Sequence, residues 1–186
     1  MVTIRPGNYV YQLLKLICVS GEIPAQSLSI LGNGRTVKAL VHKLEVTVGI
    51  RWHGGCPSMT TRVFAVRGSR DKRTVRLHKG AIPLLAPLHP RAVDYYLEVT
   101  FGHNLPGDVF HMWRNHRVAE AMAMGMMAGI DVGQYGLPRL QKQKIGFVVQ
   151  KRPSLYAARD FKKSEEAKGN KTNFTRIIGA LFTKGQ

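Results

Sequence analysis

Residues Ser27 to Glu45 read SLSILGNGRTVKALVHKLE. From Arg35 to about Leu44, apolar Val37, Leu40, Val41 and Leu44 recur at intervals of three and four, which is one stripe of an α-helix. The opposite face of that helix carries Arg35, Thr36, Lys38, His42 and Lys43. Just before it, Gly32-Asn33-Gly34 reads as a tight turn, with two glycines to supply positive backbone angles. Upstream, Pro24 opens a shorter helix near Ala25 to Leu31, because proline suits a first helical position. Further upstream, Asn8 to Val19 places Val10, Leu13, Leu14, Ile17 and Cys18 on one helical face, and Gly21 ends it.

Helix, short helix, glycine turn, helix with a basic outer face: this is the order of a helix-turn-helix. The third helix then serves as the recognition helix, its N-terminal residues turned to base edges. An ordinary three-helix bundle with a basic last helix would share the pattern. The residues that follow favour the first reading. Glu45 to Trp52 alternates Val46, Val48, Ile50 and Trp52 with polar residues, as a half-buried strand does. His53 to Ser58 is a turn, and Thr60 to Val66 is again rich in β-formers, so a hairpin directly after the recognition helix reads as a wing. Gly68 to Arg73 is a second turn, crowded with cations, before a short strand at Thr74 to Leu77. A basic loop there suits a phosphate backbone or a minor groove, although loop tips are also basic simply because they are exposed.

The charge balance points the same way. Lys and Arg number 28 against 11 Asp and Glu, a net charge of +17 in 186 residues, which creates a field that attracts polyanions. A solvated basic surface with no partner is the plainer alternative. With 44% hydrophobic and 21% charged residues, the chain carries enough apolar side chains for a buried core. Cations cluster from Arg62 to Lys79 and again from Arg139 to Lys184, with a neutral-to-acidic stretch between them. Cys18 falls on a helical apolar face and Cys56 lies in a turn, neither in a CxxC pair, so no zinc site is expected. No apolar run approaches the roughly 20 residues that cross a bilayer, and the N-terminus lacks the segments of a signal peptide. A cytoplasmic protein with no membrane partner is the expectation.

The second half reads less clearly. Ala81 to Leu88 is apolar but interrupted by prolines, and Arg91 to Phe101 suits a helix with Val93, Tyr96 and Leu97 on one side. Residues about 107–129 form the clearest helix, with Asp108 in its first turn. Trp113, Val118, Ala121 and Met122 are expected to pack inward, while Met124, Met126 and Met127 join the core or an adaptable interface. Lys144 to Gln150 and Ser154 to Ala158 read as strands, Phe161 to Lys168 as a helix end or loop, and Thr172 to Phe182 as a short amphipathic helix. The fold class is therefore α+β. Residues 1–80 are read as a winged helix-turn-helix, and 81–186 as a helical linker followed by a small basic α/β part.

His103, His111, Arg114, Asn115, His116 and Arg117 are the one grouping that suggests catalysis. His111 and His116 are five apart, so they point away from each other on a helix, and no carboxylate pair accompanies them. No phosphate loop, dinucleotide fingerprint or hydrolase motif occurs, so no enzyme, metal or cofactor is expected. The candidate DNA contacts are Arg35, Thr36, Lys38, His42 and Lys43 on the helix, with Arg62, Arg67, Arg70, Lys72, Arg73 and Arg76 on the wing.

Five stretches carry a resemblance: RPGNYVYQLLKL at Arg5, SLSILGNGRTVKALVHKLE at Ser27, RNHRVAEAMAM at Arg114, PSLYAARDFKK at Pro153 and FTRIIGALF at Phe174. They are similar to proteins of plasmids and conjugative elements of Firmicutes, a group that resembles the replication-relaxation proteins. The resemblance implies a winged helix, double-stranded DNA as partner, contacts on Arg35 to Lys43 and on the wing, and no catalytic residue. It implies a regulator, or a replication or mobilisation accessory, of a mobile element, for which a homodimer on a palindrome is natural. The alternative is an anti-CRISPR inhibitor that holds a type II RNA-guided nuclease together with DNA. A nucleic-acid enzyme is the third reading.

Overall fold

The computed structural model describes residues 1–100, 109–133, 135, 153–157 and 179–182. After a short strand β1 (Val2–Ile4), Asn8 caps the first helix α1 (Tyr9–Ser20), its side-chain oxygen accepting the Tyr11 amide at 2.9 Å. A cap of this kind satisfies an otherwise orphaned donor and stabilises by about 1 kcal/mol. Gly21 closes the far end, its N–H donating to the Ile17 carbonyl at 2.8 Å. Leu13, Leu14, Leu16, Ile17, Cys18 and Val19 are all fully buried, so α1 is wrapped by the rest of the fold rather than lying on its surface.

Gly21 leads into a three-residue strand, β2 (Glu22–Pro24), which hydrophobic periodicity alone does not reveal. The short helix predicted at Ala25 to Leu31 is present over that span as a 3-10 helix. In the turn that follows, only Gly32 takes a positive φ, at 142°; a Cβ there would meet the Tyr9 hydroxyl at 2.6 Å. Gly34 is instead the first residue of helix α2 (Gly34–Leu44), so the two-glycine turn is corrected to one. Gly34 serves close packing, since a Cβ would come 3.1 Å from Ser29 Cβ. Asn33 caps α2, accepting from the Arg35 and Thr36 amides, each at 3.1 Å.

The chain then makes an excursion. Strands β3 (Val48–Trp52) and β4 (Ser58–Thr61) form an antiparallel hairpin, and β1 adds to the free edge of β3 in parallel, Val2 opposite Ile50 and Ile4 opposite Trp52. The Val63 N–H donates to the Leu44 carbonyl at 2.9 Å, bringing the chain back to the point where it left α2. Strands β5 (Phe64–Arg67) and β6 (Thr74–Leu77) make a second hairpin, in which β6 lies between β5 and β2, antiparallel to both. The single hairpin read from Glu45 to Val66 is thereby corrected: Thr60 belongs to one sheet and Phe64 to Val66 to another. The physical reason lies at Val63 and Phe64. Both are fully buried, and two consecutive buried residues break the alternation that one strand requires.

Lys79–Leu88 winds as a 3-10 helix with Pro83 and Pro87 inside it, in line with the interrupted helix expected there. Helix α3 (Ala92–Tyr95) widens into a π-helical turn, Tyr96–Thr100. That widening shifts the helical phase, so Ala92, Tyr96, Val99 and Thr100 are buried while Leu97 is exposed, contrary to the predicted face.

Helix α4 (Val109–Met127) falls within the predicted 107–129 and packs across α1, β2 and the Ala25–Leu31 helix. Its buried stripe is His116, Ala119, Met122 and Ala123. Trp113 lies at the margin of that stripe, one turn before His116, and is 50% exposed, a correction to its expected inward packing. The methionines divide: Met122 is buried, Met126 half-buried, and Met124 and Met127 exposed.

Strand β7 (Ser154–Ala157) matches its prediction and pairs antiparallel with β8 (Gly179–Phe182). The end of the predicted Thr172–Phe182 helix is thus a strand, because sheet pairing supplies partners that four helical residues cannot. The expectations for Asp108, Lys144 to Gln150, Phe161 to Lys168 and Thr172 to Ile178 lie outside the described residues, as does most of the second basic stretch. One buried cluster runs from Ile4 through Leu28, Trp52, Phe64 and Leu84 to Met122 and Tyr135. No helix among the described residues is long and apolar enough to cross a membrane.

Candidate nucleic-acid interface

α2 is held by its apolar stripe: Val37, Val41 and Leu44 are buried and Leu40 is half-buried. That anchoring fixes the opposite face outward, and Arg35, Thr36, Lys38, His42 and Lys43 are all exposed on it. His42 differs from the others, because its Nδ1 stands 3.3 Å from the Glu45 carboxylate.

A second set of cations gathers on the turn between β5 and β6. Arg67, Arg70, Lys72 and Arg73 are exposed, and Arg62 is exposed at the crossing between the two sheets. The turn is shaped rather than slack. The Lys72 N–H donates to the Ser69 carbonyl at 3.0 Å, and the Ala25 N–H to the Arg73 carbonyl at 2.8 Å. The second bond ties the base of the turn to the start of the 3-10 helix that precedes α2. Arg70 takes a φ of 50°, in the left-handed region that costs a residue with a Cβ roughly 1–2 kcal/mol. Such outliers persist where surrounding structure holds them.

Among the described residues, no carboxylate ion-pairs with Arg35, Lys38, Lys43, Arg62, Arg67, Arg70, Lys72 or Arg73. Exposed cations of one sign, unmatched among the described residues, build a positive potential over α2 and the turn.

Arg76 does not belong to this set. It lies opposite Glu22 in the β2–β6 register, and its guanidinium reaches the Glu22 carboxylate at 2.5 Å. The other Glu22 oxygen stands 3.4 Å from Nε2 of buried His116 on α4. Burial pushes the Glu22 carboxyl up, but His116 and the Arg76 guanidinium outweigh it and hold the group below its ordinary value. Arg76 is thus engaged in an ion pair within the fold, unlike the other sequence candidates on the turn. Two further polar contacts pin the same side of the molecule: Ser27 Oγ donates to Glu120 at 2.5 Å, and Lys15 meets Asp131 at 3.4 Å. Periodicity could not have found the Arg76 partner, since β2 itself is too short to show in the sequence.

His116 is buried against Glu22, whereas His103 and the side chain of His111 lie outside the described residues. Among the described residues no three His, Cys, Asp or Glu side chains gather as a metal site. Arg51 was not among the sequence candidates. It sits exposed on β3 with its Nε donating to Thr3 Oγ1 at 3.3 Å. The signal was available, as Arg51 alternates with buried Ile50 and Trp52.

No family model, curated protein or solved structure matches the chain.

Proposed function

We propose that the protein binds double-stranded DNA, with the unit from α1 to β6 acting as a winged helix-turn-helix. In such modules the short strand between the first two helices pairs with the returning strand of the wing. The observation that carries the reading is the strand order β2-β6-β5, next to α2 with Arg35, Thr36, Lys38, His42 and Lys43 exposed around Ala39 on its outer face. The wing is then the β5–β6 hairpin, and residues 45–62 are an insertion between recognition helix and wing.

α2 has 11 residues, a length of roughly 16 Å, and a major groove about 12 Å wide admits such a helix. Arg35, Thr36 and Lys38 near its start face the base edges, while Arg67, Arg70, Lys72 and Arg73 follow the neighbouring backbone. This role fits a regulator, or a replication or mobilisation accessory, of a mobile element.

The test is a salt titration of binding to a random duplex of about 30 base pairs. Five to eight neutralised phosphates give a slope of log K against log salt of roughly −4.5 to −7. Absence of binding at low salt removes the reading. A preference for one sequence then separates a regulator from a nonspecific binder.

One observation favours a second reading, in which the DNA-bound protein also inhibits a type II RNA-guided nuclease. Trp113, Met124 and Met127 are exposed on α4, along one margin of its buried stripe, and such residues suit a protein contact. That reading expects tight binding to the nuclease complex and little sequence preference.

A further inference from the structure

The β1–β3–β4 sheet has one face in the core and one in water, and the two differ sharply. Ile4, Ile50, Trp52 and Thr61 are buried beneath it, and the Trp52 ring meets Tyr11 of α1 edge-on, centroids 5.9 Å apart. The strand register puts Thr3, Arg51 and Ser58 side by side on the outer face, with Thr60 one row along. Arg5 is exposed just beyond β1, and Arg62 just beyond β4. The outer face thus carries three hydroxyls and an arginine, with the Met1 side chain beside Gly49 as its apolar part and further arginines at its ends. No Asp or Glu occurs anywhere from Val46 to Arg70. Among the described residues Arg5, Arg51 and Arg62 have no carboxylate partner.

We infer that this sheet is a second surface for the sugar-phosphate backbone of the same duplex, an inference that rests on the DNA-binding reading above. Three features carry it. The charge and hydrogen-bonding character of the face complement a row of phosphates, which accept from hydroxyls, amides and guanidinium groups alike. Arg51 is oriented in advance: the bond from its Nε to Thr3 leaves both terminal amino groups to meet a phosphate in the two-pronged way arginine favours. The sheet is also continuous with the proposed interface, because the excursion begins at the C-terminus of α2 and closes at Val63, directly before the wing strand β5. The five residues of β3 extend it by roughly 16 Å, or about five base pairs of backbone. Its buried face holds it as a rigid platform rather than a swinging hairpin.

The experiment compares wild type, R5A/R51A and R35A/K38A/K43A by salt titration and hydroxyl-radical footprinting on one duplex. R5A/R51A is expected to make the salt slope shallower by about 1.8, or 0.9 for each phosphate released, and to shorten the footprint on one side by a few base pairs. Sequence preference should stay as it is, since backbone contacts are blind to base identity. S58E/T60E, which sets two carboxylates on the face, one directly opposite Arg51, is expected to weaken binding at least tenfold at low salt. Thermal melting of each variant establishes that it is folded. If R5A/R51A and S58E/T60E both bind with wild-type slope and footprint while R35A/K38A/K43A is weakened, the sheet has no part in binding and the inference is overturned alone. If wild type fails to bind duplex, the DNA-binding reading falls, and this inference with it.

Discussion

Arg73 and Arg76 lie three residues apart, one at the edge of the β5–β6 turn and the other within β6. Arg73 is exposed and has no carboxylate partner among the described residues; Arg76 is locked against buried Glu22. The contrast extends to the two sides of the molecule. On α2 and the turn, exposed cations stand without acidic partners among the described residues, whereas beneath α4 Glu22 meets Arg76 and the His116 ring, and Lys15 meets Asp131. Arg114 and Arg117 on α4 itself make no ion pair among the described residues. The lesson is that a basic stretch is not one functional unit. Neighbouring arginines divide according to what the fold brings opposite them, and only the unmatched ones remain for an outside polyanion.

The strongest way to break this division is to remove α2 cations. R35A/K38A/K43A is expected to weaken duplex binding by roughly 100-fold at 0.15 M salt, about 3 kcal/mol, and to reduce the salt slope by about 2.7. Because all three side chains are exposed, the melting temperature should hardly change. Unaltered affinity, measured by fluorescence anisotropy, would remove α2 from the interface.

The arginine pair sharpens the comparison next. R76A strands a buried carboxylate and should destabilise the fold by roughly 2–3 kcal/mol, somewhat less than for a fully buried pair because Arg76 keeps 25% of its side chain exposed. R73A should leave urea unfolding unchanged and cost roughly fivefold in DNA affinity. Reversed phenotypes would mean that the two arginines have been assigned the wrong way round.

Acid provides a third handle on the matched side. The folded Glu22 pKa lies below its ordinary 4.5, so the carboxylate stabilises fully above pH 4.5, and that contribution is lost as pH falls through 4.5 toward the folded value. In E22Q this part of the acid limb should be missing: the variant is less stable than wild type at neutral pH, and the gap closes below pH 4.5. A constant gap from pH 7 to pH 3 would show that Glu22 acts through packing rather than charge.

The smallest effect is expected at the tip of the turn. R70G relieves the left-handed backbone at φ 50°, so stability should hold or rise slightly, while the salt slope falls by about 0.9. A loss of stability would show that the Arg70 side chain supports the turn.

Much of this organisation was legible in the amino-acid order wherever the governing interactions are local. The span of α1 and its Gly21 stop depend on residues within one helical turn, as do the apolar stripe and basic face of α2. Thr74 to Leu77 and Ser154 to Ala157 were readable as strands from their own β-rich composition. Reading failed where neighbours no longer set the environment. Trp113 looked like core but stands half in water, because the side of α4 that faces inward was chosen by α1 and β2. Thr60 and Phe64 looked like one strand but serve two sheets, because the buried pair Val63 and Phe64 sits where the chain crosses.

Periodicity, capping and turn chemistry act over three or four residues, so the sequence by itself determined the helices of the first half, the basic face of α2 and the cationic turn. Which strands share a sheet, and which arginine meets a carboxylate, only the tertiary structure decided. Glu22 and Arg76 are 54 positions apart, and their contact depends on the antiparallel register of β2 and β6. Sheet register and ion pairing are long-range properties, set when the chain closes on itself, and no local pattern of residues encodes them.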